Sequence, residues 1–220
     1  MLYSVPPFTA YDLPVEQVAE LALHPNILGI KESSGDVPKI ATMVEKTAGP
    51  KRTVNVTEIF NAVTRRMLAA NAAPPAGVIS AESLSGGTTA TATATAPATP
   101  KFKMRTKEVS FQIAAGAGHM LLPSLEAGAS AAVLAFAACA PTACYEVWAA
   151  LKDGDKKLAD LKQQRVTPAS KRIVSELGIP GIKYACDLNG YYGGPARLPL
   201  LPLTGDERKE IERIMADLRN

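Results

Sequence analysis

Short apolar runs that alternate with amphipathic stretches constrain this chain more than any other feature. Leu2 to Val5 is apolar and stops at Pro6-Pro7, which reads as a strand entering a loop. Leu13 to Leu23 then carries Val15, Val18, Ala19 and Ala22 at helical spacing, with Asp12 placed as N-cap and Pro14 near the first turn. His24-Pro25-Asn26 ends that helix, and Ile27 to Lys31 forms a compact second strand. Asp36 caps a further helix over Val37 to Thr47, closed by Gly49-Pro50. Strand–helix–strand–helix order is the signature of βαβ units, whose crossovers require a parallel sheet. The expected fold class is α/β.

The same rhythm returns near the middle of the chain. Phe111 to Ala115 reads as a strand turning at Gly116-Ala117-Gly118, Met120 to Ala127 as a helix stopped by Gly128, and Ala131 to Ala137 as a buried strand. Thr142 to Leu151 and Lys156 to Leu177 read as helices, with Pro168 as a candidate break in the second. Gly178 to Gly181 reads as a turn, Ile182 to Leu188 as a helix, and residues 190–203 as an irregular Gly- and Pro-rich segment. Thr204 to Arg219 is a final amphipathic helix with Ile211, Ile214 and Leu218 facing inward.

Residues 51–109 break the pattern. Val56 to Ala73 looks helical, with Ile59, Val63, Met67 and Ala70 on one face. After it, Thr88 to Pro100 is a run of 13 residues made only of Thr, Ala and Pro, which offers little apolar volume and reads as an exposed or disordered loop. Lys101, Lys103, Arg105 and Lys107 alternate with other residues, as in an anion-binding strand edge or a solvated basic linker. The expected organisation is 1–50 and 110–150 as two strand–helix blocks, 51–109 as an insertion and linker, and 151–220 as a helical C-terminal segment.

Charge and cysteine usage narrow the function classes. With 24 Lys+Arg against 21 Asp+Glu, the net charge of +3 is too mild to imply nucleic acid or an anionic membrane as partner. Cys139, Cys144 and Cys186 are an odd, sparse set, so neither a disulfide framework nor a zinc site is expected, and a reducing, cytoplasmic location is. The opening MLYSVPPFTAYD lacks the basic and apolar regions of a secretory leader. The longest apolar run, Ala127 to Ala143, contains Gly128, Ser130, Pro141 and Thr142 and is short for a spanning helix.

Lys31 stands at the C-terminal end of the apolar strand LGIK, the end where α/β barrels gather catalytic groups. An amine desolvated by apolar neighbours loses proton affinity and can attack a ketone to form a Schiff base. The other reading is a lysine that snorkels from a strand end to water. Tyr3 lies near the end of the preceding strand, as a phenol for proton relay or as an amphipathic core residue. His24 and His119 are isolated and read as structural. Gly116-Ala-Gly118 follows a strand but lacks the third glycine of a dinucleotide fingerprint.

Tyr3-Ser-Val-Pro6 and Gly29-Ile-Lys-Glu-Ser-Ser-Gly-Asp36, with Tyr3 and Lys31 twenty-eight residues apart, resemble the paired motifs of the dihydrodipicolinate synthase / N-acetylneuraminate lyase family. Phe111 to Gly118 resembles that family's seventh barrel strand and turn, and Glu126 to Ala137 its seventh helix end and eighth strand. Leu177 to Lys183 and Gly190 to Pro199 resemble its C-terminal segment, the latter most like the 4-hydroxy-2-oxoglutarate aldolase branch.

The resemblance implies a partial (β/α)₈ barrel (TIM barrel), strands five to eight at residues 2–5, 27–31, 111–115 and 131–137, with C-terminal helices and an insertion. A full barrel typically needs about 250 residues. It also implies class I aldolase chemistry. Lys31 would form an imine with pyruvate or another 2-oxo acid, Tyr3 would shuttle the proton of the aldehyde-derived oxygen, and Gly116 and Val133 would line the imine pocket. No metal or organic cofactor is implied.

Two departures bear on substrate and partners. Phe8 stands where the synthase branch carries a carboxylate-gripping arginine, which removes a bidentate anion site and disfavours a strict 4-hydroxy-tetrahydrodipicolinate synthase. An uncharged or sugar-like aldehyde, or glyoxylate held otherwise, fits better. The chain also begins at what resembles the fifth strand, and the family's Gly-Thr-Thr-Gly-Glu-type loop has no counterpart. The expected partners are therefore a 2-oxo acid and an aldehyde, with a homo-oligomer or a separate N-terminal half-barrel completing the fold. The remaining alternative is an inactive fragment or interaction module.

Overall fold

A computed structural model of the chain describes residues 1–58 and 103–219. The helix expected at 56–73 lies outside these beyond Glu58, as do the Thr/Ala/Pro run at 88–100 and Lys101.

Four strands form one parallel sheet in the order β1-β2-β5-β6, where β1 is Leu2–Ser4, β2 Gly29–Glu32, β5 Gln112–Ala115 and β6 Ala131–Ala132. Each neighbour in space is the next strand of this sheet in sequence, and α helices fill the crossovers. Between β1 and β2 lie α1 (Pro6–Thr9) and α2 (Val15–Leu21), and α3 (Val37–Lys46) follows β2. A 3₁₀ turn, Gly118–Met120, and α4 (Leu121–Glu126) connect β5 to β6. The expected α/β class with a parallel sheet is what the chain adopts.

Register decides which side chains share a face, because partners in a parallel ladder point the same way. Leu2 pairs with Ile30 and Ile30 with Ile113, and this row turns toward α2 and α3. There Val18, Ile30, Ile40, Met43 and Ile113 pack as one buried cluster. Each fully buried aliphatic side chain of this kind contributes about 1.5–3 kcal/mol relative to exposure. The alternate row, Tyr3, Lys31, Ala114 and Ala131, lies on the opposite face.

The C-terminal helices make a second cluster. After a 3₁₀ turn at Phe136–Ala138 come α5 (Pro141–Lys152), α6 (Lys156–Ser170), a π-helical segment (Lys171–Glu176), α7 (Gly178–Leu188) and α8 (Gly205–Met215). Leu121, Phe136, Val147, Val166, Ile173, Ile211 and Met215 are buried among them. A capping box starts α8: the Thr204 hydroxyl accepts from the Glu207 N–H, and the Glu207 carboxylate accepts from Thr204 N–H.

Several sequence expectations are corrected. The strand expected over 131–137 is only Ala131–Ala132, because its partner β5 ends at Ala115 and the ladder ends with it. Pro6-Pro7 does not open a loop but begins α1, where the missing proline N–H costs nothing. Asp12 does not cap α2; Pro14 occupies that position, and the Asp12 carboxylate is engaged by the Ser4 hydroxyl and the Lys39 ammonium. Gly178 to Gly181 is the first turn of α7, with Gly178 at a φ of 64° that favours glycine. Pro168 does not break α6, which runs on to Ser170 before widening into the π segment.

Val56 to Glu58 belongs to a strand, β3 (Lys51–Glu58), and not to a helix. It forms a two-stranded sheet with β4 (Lys103–Ser110), and its β-branched residues Thr53, Val54 and Val56 suit the pleat. Arg105 and Lys107 are thus on a strand, with their side chains exposed. By contact the chain divides into one unit of Met1–Val54 with Glu108–Asn220 and a second of Asn55–Lys107. Among the described residues no helix is long and apolar enough to cross a membrane, and no group of three or more His, Cys, Asp or Glu side chains is placed to hold a metal.

Candidate active site

The face that carries Tyr3 and Lys31 opens into a cleft of about 300 Å³ at the C-terminal ends of the strands. Tyr3 and Lys31 are register partners on β1 and β2, and the Lys31 Nζ lies 4.3 Å from the centroid of the Tyr3 ring. The sequence separation of twenty-eight residues is therefore one βαβ repeat, which brings the two side chains abreast. Tyr3 is 54% exposed.

Gly116 forms the opposite wall, at the turn after β5, and only glycine fits there. A Cβ at this position would stand 2.1 Å from the Ser33 Oγ and 2.8 Å from the Glu32 carbonyl oxygen. The close approach lets the Gly116 N–H donate to that same Glu32 oxygen at 2.7 Å. Gly116→Ala is expected to push the β2 and β5 loops apart and to cost about 1–3 kcal/mol of stability, measured by urea unfolding.

Val133 does not join this wall. It is half-exposed just after β6, with its N–H donating to the Ala115 oxygen at 2.8 Å, and Ala135 and Phe136 line the cleft instead. Phe8 lies at the mouth, 83% exposed, and brings no charge to it.

Sequence reading missed several cleft residues. His119, read as structural, lines the cleft from the turn after β5, its imidazole held below the ordinary histidine range by burial and by the Lys171 ammonium. Ser33 and Ser34 follow Glu32 at the end of β2; the Ser33 hydroxyl is buried without a partner among the described residues, and the Ser34 N–H donates to Glu32 Oε1 at 3.0 Å. The rule that loops after barrel strands carry the chemistry points to all three. Ser170, Val174 and Ser175 arrive from the end of α6 and the π segment, where nothing local in the sequence signals a cleft.

The three cysteines are buried outside it. Burial pushes the Cys139 and Cys144 thiols up to about 12, which leaves them protonated and poor nucleophiles. Among the described residues that line the cleft, Lys31 brings the one primary amine.

The family model described as Dihydrodipicolinate synthetase family matches residues 1–93 and 90–218. The chain belongs to the dihydrodipicolinate synthetase family. Together the two matched ranges also cover residues 51–109, outside the motifs that carry the resemblance. A 4-hydroxy-tetrahydrodipicolinate synthase of Methanoculleus marisnigri is 23% identical over 217 residues, which is 99% of this chain and 54% of that protein.

Among solved structures, dihydrodipicolinate synthase DapA-2 of Bacillus anthracis superimposes with a TM-score of 0.67 at 22% identity, covering 100% of this chain and 55% of the other. The chloride-inhibited dihydrodipicolinate synthase of Acinetobacter baumannii, complexed with pyruvate, gives a TM-score of 0.65 at 20% identity, covering 99% and 54%. At such identities the likeness shows the dihydrodipicolinate synthetase fold alone. The chain spans about half the length of the curated relatives it matches.

Proposed function

We propose that the chain forms a Schiff base between Lys31 and the ketone of pyruvate or another 2-oxo acid, as part of a carbon–carbon lyase or aldolase. The observation that carries this reading is the placement of the Lys31 amine beside the Tyr3 ring on one face of a parallel sheet, at the mouth of a cleft. The neutral amine adds to the ketone carbon, and uptake of a proton with loss of water gives a protonated imine. The imine draws electrons from the neighbouring carbon, which stabilises the enamine formed when the bond to the aldehyde carbon is made or broken. The Tyr3 hydroxyl carries the proton to and from the aldehyde-derived oxygen. Gly116 keeps the imine wall thin, and Val133 lies next to it. No metal or cofactor enters this chemistry.

In this reading β1, β2, β5 and β6 are barrel strands five to eight, and residues 51–109 are an insertion. The partners are a 2-oxo acid and an aldehyde. Phe8 leaves the mouth of the cleft without a guanidinium for an acceptor carboxylate, which favours an uncharged or sugar-like aldehyde, or a 4-hydroxy-2-oxoglutarate aldolase-like specificity whose glyoxylate is gripped otherwise. The second reading, 4-hydroxy-tetrahydrodipicolinate synthase, is favoured by the names of the relatives.

Borohydride reduction in the presence of pyruvate, followed by peptide mass spectrometry, tests the proposal. A reduced adduct on the peptide that contains Lys31 is expected. Folded protein that yields no adduct would identify the chain as an inactive member of the family.

A further inference from the structure

We propose that Gln163, on α6 and outside the cleft, is a positioning residue that fixes the cleft wall after β5 and so sets the affinity for the 2-oxo acid. This rests on the Schiff-base reading for its ligand, but its geometry stands alone. Gln163 is 7% exposed, and its amide is fully engaged. Its Oε1 accepts the Leu122 N–H at 2.9 Å. Its Nε2 donates to the carbonyl oxygens of Gly118 and His119, both at 3.2 Å, and to the Thr167 Oγ1 at 2.9 Å. The Thr167 hydroxyl shares its one proton between the Gln163 carbonyl oxygen at 2.9 Å and the His119 oxygen at 3.3 Å.

These bonds complete a segment that satisfies itself only in part. The 3₁₀ turn Gly118–Met120 and the start of α4 have no side-chain cap of their own; the Gly118 oxygen already accepts the Leu121 N–H, whereas the Leu122 N–H takes its partner from Gln163. A single amide from a distant helix supplies both the acceptor and the donors. Farther along the same helix face, the Ser170 Oγ packs so closely on Gly118 that a Cβ there would come within 2.7 Å. Positions 163 and 167 thus grip the loop from behind, Ser170 packs on it from the cleft lining, and the loop presents Gly116 and His119 to the cleft. A misplacement of about 1 Å in such a wall can change ligand handling by up to about a hundredfold.

The test compares Gln163→Leu, Gln163→Glu and the exposed neighbour Gln164→Leu by two readouts. In the first, trapping with borohydride across a range of pyruvate concentrations separates half-saturation from the limiting rate. Gln163→Leu is expected to raise the half-saturating pyruvate concentration about tenfold with little change in the limiting rate, and Gln164→Leu to behave as wild type. Gln163→Glu retains the acceptor for Leu122 but turns a carboxylate oxygen toward the two carbonyls, so it should resemble Gln163→Leu. If it behaves as wild type, the carbonyl grip is overturned.

In the second readout, amide hydrogen exchange in Gln163→Leu should accelerate over residues 116–122 and remain unchanged in β1 and β2. Unchanged exchange, or acceleration throughout the chain, would overturn positioning. If the wild-type protein forms no adduct, the Schiff-base reading fails, and exchange alone decides whether Gln163 holds the wall.

Discussion

Lys31→Ala is expected to abolish the borohydride-trapped pyruvate adduct and to leave the fold in place. The side chain is half-buried on the cleft face of β2 and makes no hydrogen bond or ion pair among the described residues other than its contact with the Tyr3 ring. A cation–π contact at an exposed site is worth about 0.5–1 kcal/mol, so its loss is a small fraction of a domain's stability. The chemical loss is total, because alanine has no amine to form the imine. Tyr3→Phe separates the two roles. It keeps the ring beside Lys31, so the adduct should still form, while the proton relay is removed and carbon–carbon cleavage should slow by about 10²–10⁴-fold. Circular dichroism confirms folding, mass spectrometry counts the adduct, and the release of aldehyde follows cleavage. An adduct of wild-type yield in Lys31→Ala would assign the chemistry to another amine.

Lys39→Met is expected to destabilise the folded protein by about 3–5 kcal/mol. The residue after Lys31, Glu32, points to the helix side of the sheet, where its side chain is 0% exposed. Its Oε2 has no hydrogen-bond partner among the described residues. The Lys39 ammonium stands 3.8 Å from Oε1, itself only 10% exposed, and also pairs with Asp12. Replacing lysine by a methionine of similar length leaves the buried Glu32 carboxylate with the Ser34 N–H but no cation, and it is this uncompensated charge that costs. The double variant Lys39→Met with Glu32→Gln removes the charge as well and should recover a good part of the loss. Urea unfolding of the two single variants and the double variant closes the cycle. A cost for the double variant equal to the sum of the two single costs would show that the two side chains do not interact.

The same residues show how much of the protein is legible in its sequence. Parallel βαβ order follows from periodicity, because strands buried on both faces must be short and apolar and their crossovers amphipathic. Lys31 is conspicuous because a charge interrupts such a run at the end where sites form. Glu32 is not: a carboxylate beside it reads as surface, and only the register with Ser4 and Ala115 turns it into the core. Strand ends were equally hidden. Val133 to Ala137 has the composition of a buried strand, yet a strand needs a neighbour, and β5 stops at Ala115.

The sequence by itself determined the alternation of elements, the parallel sheet and the pairing of Tyr3 with Lys31, since each rests on local spacing and one βαβ repeat. Tertiary structure alone decided the rest of the cleft. Ser170 and Ser175 reach it, and Gln163 grips its wall, through contacts between segments 40 or more residues apart, such as the bond from Leu122 to Gln163. No local pattern encodes such contacts, because they depend on how whole helices pack against the ends of the strands.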